Sequence, residues 1–224
     1  PTAGAISRTR DLAHEARRRG TVPVYPRSDP PRREMTTMNE RIGDFRELSR
    51  GGARVSLVFY SGGFPVRWSQ CSATAEYFAE YFADVHARAG ADESARNDFS
   101  GTLSYIVNEL VENAVKFSRG DSVEVTVSIE GDELVALVTN QILAVTVDGL
   151  VEKFSGLVAG DPQDLLIARV EANAVNPDSA VSGLGFLTMM ADYGATLGWF
   201  FAPVEDNPRN VLLKTMARLQ MRNQ

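Results

Sequence analysis

The chain has 224 residues, 44% of them apolar, with 23 Lys+Arg against 29 Asp+Glu and a single cysteine. That is ample material for a packed core, while a formal charge of −6 argues against a protein that coats nucleic acid phosphates. One cysteine excludes an internal disulfide, no run of 18 apolar residues offers a membrane span, and no apolar leader opens the sequence, so a cytoplasmic protein is expected.

The charge is unevenly spread. Residues 1–50 hold eleven Arg and seven acids (+4), whereas 51–224 hold twelve Lys+Arg and 22 acids (−10). Five of the ten prolines fall in the first 31 positions, and residues 23–33 have almost nothing apolar to bury. Residues 1–50 therefore read as a basic, Pro/Arg-rich, mobile arm or linker. The folded domain is expected over 51–219, with a short tail at 220–224.

Within the domain, Arg54–Tyr60 (RVSLVFY) is β-branched and aromatic and ends at Ser61-Gly62-Gly63, which predicts a strand and a turn. Ala75, Phe78, Ala79, Phe82 and Val85 then recur at helical spacing, with Ser72 as the expected N-cap and the polar stretch 91–97 as the end. A second helix is predicted from about Ser100, on Leu103, Ile106, Val107, Leu110, Val111 and Ala114, with Gly120 suited to its C′ position. Val123, Val125, Val127 and Ile129 alternate with polar residues, Gly131-Asp132 is a two-residue turn, and 134–139 runs back as a buried strand. Residues 151–157 and 164–174 look helical. A short apolar helix follows at 186–193, then strands at 196–202 and 211–219. Helices that do not alternate singly with strands imply an α+β two-layer sandwich, with a mixed or antiparallel sheet and helices on one face.

The usual phosphate-loop and nucleophile-elbow motifs are absent, and two histidines with one cysteine are too few for an ordinary zinc site. The second helix is more informative. Glu109, Asn113 and Lys116 are four and three apart, so a carboxylate, a carboxamide and an ammonium share one stripe. Such a stripe suits Mg²⁺ and phosphate: a hard cation needs only one or two protein oxygens, Lys116 neutralises a phosphate, and Glu109 accepts a proton. Equally, Glu112 and Lys116 make an ordinary i,i+4 pair on a solvated face. Ser182-Gly183-Leu184-Gly185 opens a helix and exposes N–H groups to an anion, or is simply a turn. Asn140 closes a buried strand, where its amide meets a base edge or opens a turn.

Residues 109–118 (ELVENAVKFS) resemble the N-box of the GHKL ATP-binding fold, shared by histidine kinases, anti-sigma kinases and gyrase-type ATPases. More narrowly, Arg67-Trp68, AEYFAEYF at 75–82, Asn108 through Ser118, Val138-Thr139-Asn140, Asp161-Pro162-Gln163 and SGLGFLTMMADYGATLGW at 182–199 resemble the SiaB-type partner-switching kinases, over about 52–217. The resemblance implies ATP and Mg²⁺ as cofactors and protein-kinase activity on a small anti-sigma-antagonist-like partner, or a weakly active scaffold that sequesters it. It implies Glu109 as catalytic base and Asn113 as the Mg²⁺ ligand. Asn108, Lys116, Asn140, Gly183 and Gly185 fall in the nucleotide site. A homodimer through Phe45, Leu48 and the outer side of 75–85 is an analogy with the fold. Two positions depart from the family: Asn140-Gln141-Ile142 replaces an Asp followed by glycines, and the lid region looks helical rather than glycine-rich.

Overall fold

The computed structural model describes residues 39–60, 68–88, Gly90, 92–175 and 183–221. Expectations for residues 1–38, Ser61-Gly62-Gly63, Arg67 and Ser182 lie outside this set. In chain order the elements are β1 (Glu40–Gly43), β2 (Arg54–Tyr60), α1 (Trp68–Arg88), α2 (Glu93–Phe117), β3 (Ser122–Glu130) and β4 (Glu133–Leu143), then a 3₁₀ turn (Ala144–Thr146), α3 (Val147–Ala159), α4 (Pro162–Val175), α5 (Leu184–Ala191), β5 (Thr196–Pro203) and β6 (Asn210–Gln220). The six strands form one sheet in the order β1-β5-β6-β4-β3-β2, and every pairing is antiparallel. The α+β class holds; among the described strands the sheet is not mixed.

Alternation sets the two faces of the sheet. Val123, Val125 and Val127 of β3, Leu134, Ala136 and Val138 of β4, and Trp199 and Phe201 of β5 are buried in one continuous core with the apolar stripes of α1, α2 and α3. The hairpin β3–β4 turns through Gly131, whose φ of 69° is left-handed and suits glycine. On α2, Leu103, Ile106, Val107, Leu110, Val111 and Ala114 are all buried, the outcome expected from a 3.6-residue period.

The opposite face is covered by a segment that the sequence reading assigned to the arm. β1 pairs with β5 in the register Glu40↔Phe201 to Gly43↔Gly198. The chain then crosses the back of the sheet, where Phe45 packs with Val135, Leu137 and Met216 and stacks on Phe200 at 5.2 Å. Charges fix this strap. Arg46 reaches Glu133 at 2.6 Å and Glu130 at 3.6 Å, and Arg218 bridges Glu133 and Asp44. The folded part thus begins well before residue 51. ERIG carries one buried side chain, Ile42, too few for a visible alternation. Phe45 is spent inside its own chain, so it does not supply the dimer face suggested by analogy.

Helix ends also differ. α1 begins at Trp68, which puts Ser72 inside it rather than at its cap. α2 begins at Glu93: Asp92 caps it, accepting from the Ala95 N–H at 2.8 Å, and Arg96 joins it to α1 through Glu80 and Asp84 at 3.1 and 2.9 Å. The mostly polar composition of 93–97 marks a solvated first turn, not a break. α2 ends at Phe117 with Ser118 extended, so Gly120 is not its C′ residue. Gly120 is instead required by closeness: a Cβ there would lie 2.9 Å from the side chain of Gln141.

Candidate functional site

A cavity of about 280 Å³ lies between α2, α3, the start of α5 and the inner face of β4 and β6. Its walls are mainly apolar, from Leu110, Ala114, Ile142, Leu150, Phe154 and Phe186. Phe154 stacks on the buried Trp199 at 4.3 Å, with Phe186 edge-on to both, so the wall beneath the cavity is rigidly packed.

Polar groups enter this apolar space at few points. Asn140 is 3% exposed, points from β4 into the cavity lining, and its Nδ2 has no hydrogen-bond partner. Its strand does not end there. β4 continues through Leu143, so Asn140 is an inward-facing strand residue rather than a turn opener. Thr215 stands on the neighbouring strand, paired in register with Val138, and lines the same floor. Asn113 lines the α2 side. Its Nδ2 donates to the Glu109 carbonyl at 2.8 Å, so its Oδ1 is the group left to offer a ligand.

Glu109 is one turn back on α2 and half-buried. Desolvation, and then the neighbouring Glu112, push its carboxyl above the usual carboxylate range. A Cβ built on Gly185 would overlap the Glu109 Oε2, and its Cδ would be only 3.0 Å away, so the absence of a side chain at 185 lets this carboxyl sit against the start of α5. Gly183 caps α5 in the left-handed region, φ 57°. The Arg169 guanidinium of α4 lies 3.8 Å from where a Gly183 Cβ would be. Two glycines anticipated as anion contacts are thus flanked by one acid and one base.

Lys116 stays out of an ion pair with Glu112, which accepts instead from Asn108 Nδ2 at 2.9 Å. Asn108 Oδ1 is 3.5 Å from Ser72 Oγ. Asn108 therefore ties α2 to α1 and, unlike Asn113 and Asn140, does not line the cavity. Lys116 lies 5.4 Å over its own neighbour, the Phe117 ring.

Three contributors escaped the sequence reading. Lys153 of α3 lines the cavity with its stem, and its ammonium is pushed below the ordinary lysine range by desolvation, then by Arg169 and Lys116. Lys153 adjoins the buried stripe Val147–Phe154–Leu157, a position where an aliphatic residue is ordinary, and that was its only signal. Thr215 interrupts the inward series Val211, Leu213, Ala217, which is a readable sign. Arg169 gave none. Among the described residues no group of three or more His, Cys, Asp or Glu is placed to hold a metal ion, and no helix is long and apolar enough to cross a membrane. No protein-family model matches the chain, and no curated protein matches it.

Proposed function

We propose that this chain is an ATP- and Mg²⁺-binding signalling protein of the GHKL type, a cytoplasmic serine/threonine-type protein kinase acting on a small antagonist-like partner in a bacterial partner-switching pathway. The observation that carries the reading is Asn140: a buried amide whose Nδ2 has no partner, on the floor of an apolar cavity between helices and sheet. A buried donor without a partner is costly, which argues for a ligand that supplies one. A carboxamide presents an acceptor and a donor side by side, the complement of the adenine amino group and an adjacent ring nitrogen. This is a chemical rationale for Asn where an Asp stands in the family: the neutral amide replaces one hydrogen bond with a donor–acceptor pair.

The remaining residues suit the other end of the nucleotide. Asn113 Oδ1 offers one oxygen to Mg²⁺, which ordinarily keeps several waters and binds substrate phosphates besides. Bound there, the ion would offset phosphate charge. Glu109, its carboxyl pushed up by burial and by Glu112, holds a proton more readily than a free carboxylate, which suits a base that accepts one from an attacking hydroxyl. Gly185 leaves that carboxylate room beside the α5 N-terminus.

Calorimetry with Mg·ATP is the direct test. Glu109→Ala should bind nucleotide and fail to transfer phosphate to the partner, and Asn113→Ala should weaken Mg·ATP binding itself. Unchanged affinity in Asn113→Ala would refute the site. One feature favours the second reading, a scaffold with little catalysis: β4 runs on through Gln141 and Ile142 without a glycine turn after Asn140. That reading tolerates partner binding without nucleotide.

A further inference from the structure

The floor of the cavity carries two polar side chains, Asn140 of β4 and Thr215 of β6, which are 3% and 8% exposed. Asn140 stands opposite Leu213, and Thr215 is two residues further along the same face of β6, so the two are diagonal neighbours. The polarity of each is open. A carboxamide carries a donor and an acceptor of nearly the same shape, and a half turn about χ2 exchanges them. Asn140 Nδ2 has no partner that such a turn would forfeit. Thr215 offers a hydroxyl that donates or accepts as it rotates.

Other polar groups around the cavity have a direction imposed on them. Asn113 Nδ2 is bound to the Glu109 carbonyl at 2.8 Å, and Thr146 Oγ1 donates its proton to the Leu143 carbonyl at 2.6 Å. Arg119 donates to the Ser118 carbonyl at 2.9 Å; it and Lys153 are exposed residues, unlike the two on the floor. Among the described residues no Asp or Glu lines the cavity. The floor therefore holds neither a fixed acceptor nor a fixed donor in a side chain.

This bears on which ring the site reads. A 6-aminopurine offers an N–H donor beside a ring-nitrogen acceptor, and a 6-oxopurine offers an oxygen acceptor beside a ring N–H donor. A group of fixed polarity would match one edge and leave a buried group unpaired against the other, which is how a site rejects a close analogue. A carboxamide able to turn complements both edges. We propose that the nucleotide site reads the purine outline and not the polarity at position 6, so that Asn140 admits 6-oxopurine nucleotides, the inosine class, as well as adenine nucleotides. This rests on the nucleotide reading above and adds that Asn140 sets a specificity broader than adenine.

The test is calorimetry of Mg·ATP, Mg·ITP and the Mg complex of purine riboside triphosphate, which carries only hydrogen at position 6, on the full chain and on Asn140→Leu. Expected in the parent are ATP and ITP affinities within about tenfold of each other. Purine riboside triphosphate should bind about tenfold more weakly than either, since one buried amide group is then left unpaired. In Asn140→Leu, ATP and ITP should weaken together by at least about tenfold, and the three nucleotides should converge. A preference between ATP and ITP beyond about tenfold in the parent means a pocket of fixed polarity; it overturns the inference and leaves the nucleotide site standing. Purine riboside triphosphate binding as tightly as ATP, or unchanged ATP and ITP affinities in the variant, overturns the role of Asn140. Should the parent bind none of the three, the nucleotide reading fails and the inference with it. The comparison within the parent needs no variant, so it decides the question even where Asn140→Leu does not fold.

Discussion

Replacing Asn140 by leucine separates what this residue does for the fold from what it does for a ligand. In the free protein its Nδ2 is buried without a partner, a condition that costs about 1–3 kcal/mol relative to a satisfied or absent donor. Leucine carries no donor, and the adjoining cavity of about 280 Å³ accepts its extra volume without displacing packed neighbours. The unliganded variant should therefore be more stable by about 1–3 kcal/mol, where each kcal/mol raises Tm by about 2–4 °C for a chain of this size. On the proposed reading, Mg·ATP at a hundredfold excess over its Kd should stabilise the parent by about 2.7 kcal/mol, and the variant should lose most of that increment. Urea and thermal melts with and without nucleotide read both effects. The variant gains in the free state and loses in the bound state. A variant less stable than the parent by 1 kcal/mol or more, with no ligand present, would mean the amide is already satisfied, and the case for a recognition site at Asn140 would fall.

Three other substitutions probe the surroundings. Gly185→Ala places a methyl group on the Glu109 carboxylate and should displace that flexible side-chain end at a cost of no more than about 1 kcal/mol; in a double-mutant cycle with Glu109→Ala the two effects should couple, and additivity would deny the contact. Phe154→Ala removes a buried ring stacked on Trp199 and should cost about 3–5 kcal/mol in urea unfolding; a loss below about 1 kcal/mol would show that the cavity wall is soft. Glu109→Gln tests the raised carboxyl. The folded state holds this proton more tightly than the unfolded chain, so the contribution of Glu109 is full below the ordinary carboxylate range and is lost as pH rises through the folded value. Glutamine mimics the protonated form; the variant should match the parent near pH 4 and melt higher near pH 8. The opposite ordering at pH 8 would show a carboxylate stabilised as the anion.

The readable parts of the sequence were those with a period. The alternation in β3 and the three-and-four spacing of Leu103 through Ala114 need only the chain itself, and the strand and the buried stripe of the helix appear where they were expected. The first turns of α2 were misread because residues 93–97 are polar but for Ala95, and the partners of Arg96 are on another helix. β1 was hidden for a related reason: four residues with one buried side chain owe their strand to β5, not to their own pattern. At the site, Asn113 and Asn140 stood out as amides beside apolar runs, and both line the cavity. Asn108 had the same local appearance but faces α1. Arg169 is brought near Gly183 only by the packing of α4 on α5, so no local pattern could announce it.

The short strand β1 also decides how the molecule meets others of its kind. It occupies the outer edge of β5, whose inward residues Leu197, Trp199 and Phe201 make it one of the most apolar strands of the sheet. Without β1, β5 would present an unpaired row of N–H and C=O groups beside a large apolar surface, a template for edge-to-edge association. Loss of the strap that follows it would bare Val135, Leu137 and Met216 and take Arg46 from Glu130 and Glu133, leaving them to Arg54 and Arg218. A proteolytic cut in the Gly51-Gly52 region that released the preceding segment would therefore remove no residue of the cavity lining, yet take away the strand packed on α3 and yield a species prone to aggregate.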